Sequence, residues 1–288
     1  MKEGYWVIRT YEAGPIGEKT KFFIPGDRPT GKLRRKDRDA VRKQEQNAYS
    51  AQKTLARLLN ENFKAKDLLM GLDYSEEGLE KVKAWGRKKG LPIDSESEQE
   101  AQDALWESAS HMLDNALRRV KRRLKDDQEL KAVYITSDMD GQTGEIVRVH
   151  HHLVVNAEME QAFLSAWEER GLGGVSWTPL YEMQEDRSFI AEYFIRQVRR
   201  IPDAKKYRST RNLRRPQPKD RIALSDAEVR VPAGAQLLYR QEFRPGQPQY
   251  IRYRVAKNAK CRMQNAESGE RIATSPAAPR NDSGGTLG

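Results

Sequence analysis

The sequence predicts an α+β protein in which an antiparallel sheet carries its helices on one side. Two observations lead there. Between residues 67 and 200, apolar runs of strand length alternate with longer runs of helical period, in the order β-α-α-β-β-α-β-α. The turn Asp140-Gly141-Gln142-Thr143-Gly144 joins the two central strand-like runs as a hairpin. Outside that region the chain is polar and broken by turn signals. The expected organisation is a basic N-terminal arm over 1–46, a central domain over 47–220, a small β extension over 221–258 and a disordered tail over 259–288.

Residues 1–46 show turns at Gly14-Pro15, Gly26-Asp27 and Arg28-Pro29, then the basic run Lys32-Leu33-Arg34-Arg35-Lys36, and read as a weakly structured arm. A helix is expected over about 37–62, where Val41, Ala48, Leu55, Leu58 and Leu59 form a partial stripe. Its charged face reads as solvated surface or as a nucleic-acid contact. Asp67 to Tyr74 reads as a strand. Ser75 then caps a helix with Leu79, Val82 and Trp85 at three-residue spacing. A linker over 90–97 precedes the clearest helix, with Leu105, Met112, Leu113, Ala116, Leu117, Val120 and Leu124 on one face. That helix ends Arg118-Arg119-Val120-Lys121-Arg122-Arg123, cations that suit a helix C-terminus. Strands are expected at 131–138 and 146–155, a helix near 158–170 ending at Gly171, a strand near 174–182, and a last helix over 187–200. Hairpins are expected within 222–256, and the Ser/Gly/Pro/Asn-rich end beyond 262 is expected to be disordered.

The chain has 288 residues and a net charge of +10, which favours a polyanionic partner, nucleic acid before a membrane surface. The bland reading is a merely basic soluble protein. A single cysteine, Cys261, leaves neither an intramolecular disulfide nor a Cys-rich zinc site. There is no signal-peptide pattern at the N-terminus and no apolar run near the roughly 20 residues that span a bilayer, so a cytoplasmic protein without a membrane partner is expected.

The stretch Val149-His150-His151-His152-Leu153-Val154-Val155-Asn156 carries the chemistry. In a strand, alternate side chains share a face, so His150 and His152 lie about 7 Å apart along the chain on one side and His151 on the other. An imidazole pair completed by a carboxylate suits Mn²⁺ or Mg²⁺. Asp138 and Glu145 are the candidates for that carboxylate. Asp138 is preferred if even residues of its strand face even residues of the histidine strand, an assignment that a one-residue slip would remove. The competing reading is a metal-free histidine cluster on an open polar face. Zinc fits less well, because His111 is the only other histidine for a three-nitrogen set.

About forty residues on, Tyr193 sits in the helix-like run Ile190-Ala191-Glu192-Tyr193-Phe194-Ile195-Arg196, with Arg196 and Gln197 one turn along the same side. It reads as a packing residue among Phe189, Ile190, Phe194 and Ile195, or as a nucleophile whose scissile phosphate Arg196 would grip. Tyr207, in Lys205-Lys206-Tyr207-Arg208, is the rival, more suited to stacking on a base or contacting phosphate.

A His-hydrophobe-His type of strand followed by a helical tyrosine resembles HUH endonucleases, and the chain from about Asn47 to Pro216 resembles the single-tyrosine branch of the rolling-circle replication initiators of phages and plasmids. The likeness rests on Leu55 to Phe63, Asp67 to Tyr74, the histidine strand, Ala191-Glu192-Tyr193, and the basic segment Ser209 to Pro216. It implies a ferredoxin-like nuclease sheet over 47–220 and metal-assisted nicking of single-stranded or hairpin origin DNA on a mobile element. It also implies a 5′-phosphotyrosine at Tyr193 and a 3′ hydroxyl that primes synthesis. His150, His152 and Asp138 would hold Mg²⁺ or Mn²⁺. Lys205, Lys206, Tyr207, Arg211, Arg214 and Arg215 would contact DNA. Histidines before the tyrosine resembles replication initiators, whereas conjugative relaxases place the tyrosine first. Arg196 departs from the lysine common at that position and, always protonated, cannot shuttle a proton.

The chain has no phosphate-binding GxxxxGK[ST] loop, so unwinding is expected to need a host helicase, with a polymerase extending the primer. Two other readings compete: a catalytically silent DNA-binding protein on the same sheet, and a metal-binding RNA-interaction domain, which the lack of a Gly-aromatic RNA-binding motif disfavours.

Overall fold

The computed structural model describes residues 4–26, 40–181, 185–198, 205–223 and 225–255. The basic run Lys32 to Lys36, Cys261 and the expected tail over 259–288 lie outside these residues. In chain order the elements are β1 (Gly4–Ala13), β2 (Ile16–Pro25), α1 (Ala40–Asn62), β3 (Leu68–Asp73), α2 (Glu76–Lys88), α3 (Glu98–Arg123), β4 (Ala132–Met139) and β5 (Ile146–Val155). They continue with α4 (Glu160–Trp167), β6 (Val175–Pro179), α5 (Ser188–Gln197), β7 (Arg208–Ser209), β8 (Lys219–Ala223), β9 (Gln236–Arg240) and β10 (Gln249–Arg254). A single 3-10 turn flanks α4 at each end, and the second gives way to Gly171 in the left-handed region (φ 60°). The class is α+β, with two antiparallel sheets. Among the described residues no helix is long and apolar enough to cross a membrane.

The first sheet has the order β6-β3-β5-β4-β7, every pairing antiparallel. Its helices do not lie on one side, as expected, but on both. Leu68, Met70 and Leu72 of β3, Ala132 of β4, and Val149, Leu153 and Val155 of β5 pack under α2, α3 and α4. On the opposite face Val133, Ile135 and Val154 pack with Leu55, Leu58 and Leu59 of α1 and with Ile190, Ala191 and Phe194 of α5. Strands buried on both faces read as continuous apolar runs rather than alternating ones. Leu68-Leu69-Met70 and Leu153-Val154-Val155 are such runs. The helix starts follow local chemistry: the Ser75 and Ser97 hydroxyls accept from Gly78 N and Glu100 N, with glutamates in both first turns.

The second sheet, β8-β1-β2-β10-β9, corrects the expected N-terminal arm. Residues 4–25 form a regular hairpin around Gly14-Pro15, pairing Gly4 with Pro25 through Ala13 with Ile16. Gly14 has φ 58°, and a Cβ there would lie 2.0 Å from the Asn60 carbonyl oxygen. The flanking partners β8 and β10 arrive some two hundred residues later, so the arm and the expected small β extension are one sheet. Lys21 is fully buried in it, held by Asp226 (2.6 Å), the Ala227 carbonyl (2.8 Å), and the rings of Trp6 and Phe243. The sheet leans on α1 through Arg57 and Glu18 (2.6 Å). It meets the start of α5 through Arg252, which donates to Ser188 Oγ (2.8 Å) and pairs with Asp186.

Candidate active site

Strand β5 pairs with β3 so that Asp73 lies opposite His150, Leu72 opposite His151 and Gly71 opposite His152. On its other side Ser137 lies opposite His150, Thr136 opposite His151 and Ile135 opposite His152. The pleat therefore sends His150 and His152 to the face covered by α1 and α5, together with Asp73, Gly71, Ser137 and Ile135. It sends His151 to the α2–α4 face.

His151 is wholly buried. Its Nε2 lies 2.9 Å from the Tyr74 hydroxyl and its Nδ1 3.1 Å from Thr136 Oγ1, with Trp167 against the ring edge. Burial, with the neighbouring imidazoles second, holds its pKa well below the ordinary histidine value. Both nitrogens are satisfied inside the core.

His150 and His152 differ. His150 Nδ1 lies 2.9 Å from the Arg148 carbonyl oxygen, which can only accept, so that nitrogen carries a proton and, in the neutral ring, Nε2 a lone pair. The Nε2 atoms of His150 and His152 lie 3.0 Å apart, and the Tyr193 hydroxyl is 3.1 Å from His152 Nε2. Burial, then His150, pushes the His152 pKa down to about 4, so that ring is neutral at physiological pH. If His152 Nε2 is protonated, it can serve His150 but cannot accept from the tyrosine. If it accepts from the tyrosine, two lone pairs face each other. A divalent cation held by both nitrogens would relieve that conflict, and imidazole nitrogens are suitable ligands for one.

Tyr193 is 38% exposed on α5, with its ring 5.0 Å from that of His152. Its pKa is raised, first by burial and then by the Asp140 and Asp73 carboxylates, against a lowering hydrogen bond with Gln197. Gln197 is buried, and Ser137 Oγ donates to its carbonyl (2.6 Å), tying the end of α5 to β4.

The expected carboxylate ligand is not where an even-with-even register would put it. Odd residues of β4 face even residues of β5, and an irregularity between Ser137 and Met139 leaves Asp138 outside the ladder. Asp138 is fully buried and accepts from Gln102 Nε2 of α3 (2.9 Å), away from the His150–His152 face. Glu145 sits in the exposed hairpin before β5, where its backbone carbonyl accepts from Asp140 N. Among the described residues no group of three or more His, Cys, Asp or Glu side chains is close enough to form a full ligand set. The carboxylate that shares the face of the imidazole pair is Asp73, the cross-strand partner of His150. Its only trace in the sequence is an acidic residue closing an apolar strand, and naming its partner requires the β3–β5 register.

The other expected contacts separate into two places. Arg196 is exposed, paired with Glu192 one turn back, and lines an open groove of about 670 Å³ with Lys206, Ala48, Ile195 and the 140–144 turn. Arg211 lines a different groove, of about 940 Å³, with Arg118, Lys121 and Lys125. Arg214 and Arg215 are exposed beside it, with Leu213 buried as the anchor and the Arg214 backbone exchanging two 2.8 Å bonds with Asn62. Lys205 is exposed. Tyr207 is half-buried against the α1–α5 core, and burial raises its pKa. Among the described residues, Tyr193 is the tyrosine whose hydroxyl reaches the His150–His152 pair.

The chain matches no protein-family model, and no curated protein or solved structure is significantly similar to it.

Proposed function

We propose that the chain is a metal-dependent DNA nickase of the HUH type that starts rolling-circle replication. One observation carries the reading: two imidazole Nε2 atoms 3.0 Å apart, with a tyrosine hydroxyl 3.1 Å from one of them. His150 and His152 would hold Mg²⁺ or Mn²⁺, with Asp73 as the carboxylate nearest in register. The bound ion would supply Lewis-acid polarisation of a non-bridging phosphate oxygen.

The side chains divide the remaining work. Tyr193 Oη attacks the phosphorus and forms the new P–O bond, while the bond to the 3′ oxygen breaks and that oxygen takes a proton from water to give the free 3′ hydroxyl. The phenol proton must leave. His152 Nε2 lies in hydrogen-bond reach, but as a metal ligand it would have no lone pair to spare, so solvent water would be the acceptor. The raised pKa of Tyr193 has to be offset by positive charge at the site. Gln197, through its hydrogen bond to the phenol, and the Ser137–Gln197 link orient the tyrosine. Arg196 can exchange Glu192 for a phosphate oxygen but cannot relay a proton. The substrate in this reading is single-stranded or hairpin origin DNA, with a host helicase and polymerase following.

The test is incubation of the protein with end-labelled single-stranded hairpins and Mn²⁺, on a denaturing gel beside Tyr193→Phe. A covalent adduct with the wild-type protein, lost in Tyr193→Phe while DNA affinity is unchanged, is the expected result. An undiminished adduct in that variant moves the nucleophile elsewhere, to Tyr207 first. The second reading, a DNA-binding protein without catalysis, draws on the incomplete ligand set. It predicts binding with no cleavage at any metal concentration.

A further inference from the structure

Helix α1 has a second working face. Its core residues Leu55, Leu58 and Leu59 pack toward α5, whereas Tyr49, Lys53 and Arg57, spaced four apart, form a stripe toward the second sheet. Arg57 is taken up by Glu18 and the face of Tyr11. The other two are differently placed. The Lys53 ammonium lies 3.6 Å from the ring centre of Tyr250 on β10 and 4.5 Å from that of Tyr49. Tyr250 in turn lies 5.9 Å, ring to ring, from Tyr239 on the edge strand β9. Tyr49 and Tyr239 are 56% and 51% exposed. Among the described residues no carboxylate pairs with Lys53.

Aromatic faces alternating with a lysine suit a strand whose bases stack while its phosphates meet the ammonium. The position agrees. Ala48, the residue before Tyr49, lines the groove that Arg196 and Lys206 share beside the end of α5. The groove and the tyrosine stripe are thus neighbours on α1.

We propose that Tyr49, Lys53, Tyr250 and Tyr239 form a stacking platform for single-stranded DNA, seating the segment that flanks the cut. The inference rests on the nickase reading for the origin of that strand, but not for its test. Fluorescence anisotropy in EDTA, where no cleavage occurs, would compare the full-length protein with Tyr49→Ala/Tyr239→Ala on long oligodeoxythymidylate and on its abasic counterpart. Far-UV circular dichroism would confirm that the exposed substitutions leave the fold intact.

The expected result is about tenfold weaker binding of the long oligonucleotide by the double variant, or about 1.4 kcal/mol, and weak binding of the abasic strand by both proteins. Equal binding of long oligonucleotide by both proteins overturns the platform, as does an abasic strand bound as tightly as the base-bearing one. Competition by a ribo-oligonucleotide tenfold better than by its DNA counterpart overturns the DNA assignment. The outcomes are separable from the nickase test. A covalent adduct with unchanged affinity in the double variant removes the platform alone, and lost affinity without any adduct removes the nickase alone.

Discussion

The two faces of β5 carry the same residue type to opposite ends. His151 enters a closed core where a tyrosine hydroxyl and a threonine hydroxyl meet both of its nitrogens. His150 and His152, one residue to either side, reach a partly open face where their nitrogens confront each other and a tyrosine. A histidine whose ring is fully partnered within the protein has little capacity left for a ligand. A nitrogen that faces both a second imidazole nitrogen and a phenol cannot serve the two as acceptor and donor at once. The difference comes from the two-residue period of the strand and from which helices cover each face.

Substitutions break this comparison most sharply on the open side. His150→Ala or His152→Ala is expected to lower Mn²⁺-dependent cleavage by about 10²-fold or more, because loss of an ion's polarising effect costs several kcal/mol of barrier. Thermal unfolding should move little. Equal loss on His151→Ala, measured per folded molecule, would contradict the assignment of roles to faces.

On the closed side the expected effect is on stability. His151→Ala leaves a cavity and reduces the Tyr74 hydroxyl to its 3.4 Å bond with the Ala109 carbonyl, and should cost about 2–4 kcal/mol in urea unfolding. A variant as stable as the parent would show that the buried imidazole is not the structural member of the trio.

Carboxylates give the next, smaller contrast. Asp73→Asn is expected to raise the Mn²⁺ concentration for half-maximal cleavage by about tenfold, a typical effect of a supporting group on metal affinity. Asp138→Asn, whose carboxylate is turned to Gln102, should leave that concentration unchanged. The reverse order would restore Asp138 as the ligand.

Acid provides the mildest probe. The pKa values of His151 and His152 are depressed in the folded state, His152 to about 4. Above the unfolded value of about 6.5 neither state binds these protons and stability is intact. As pH falls below it the unfolded chain takes up protons that the folded chain refuses, so stability declines. Each group contributes up to about 1.4 kcal/mol per pH unit. His151→Gln should flatten the slope of unfolding free energy between about pH 6.5 and 5.5. An unchanged slope would locate the effect in other groups.

The second sheet shows how local reading fails. Tyr5-Trp6-Val7-Ile8 and Thr10-Tyr11 are β-branched and aromatic residues that suit a strand, but nothing local names the strands they join. The hairpin's outer neighbours, β8 beside β1 and β10 beside β2, come from far along the chain and complete the ladder and the core around Ile8, Ile251 and Tyr253. The Tyr49–Lys53 stripe was equally hidden, since a lysine and a tyrosine four apart on a helix read as ordinary surface until Tyr250 is brought against them.

What this chain's sequence settled by itself is whatever depends on short-range periodicity. The strand period put His150 and His152 on one side and His151 on the other. Ser75 and Ser97 started their helices, and Gly171 closed the turn after α4. Tertiary structure alone decided which strand, and in which register, lies beside the histidines. The β4–β5 register turned Asp138 away from the imidazole pair and the β3–β5 register put Asp73 on its face, because adjacent residues of a strand face opposite ways and only the partner strand sets which faces in.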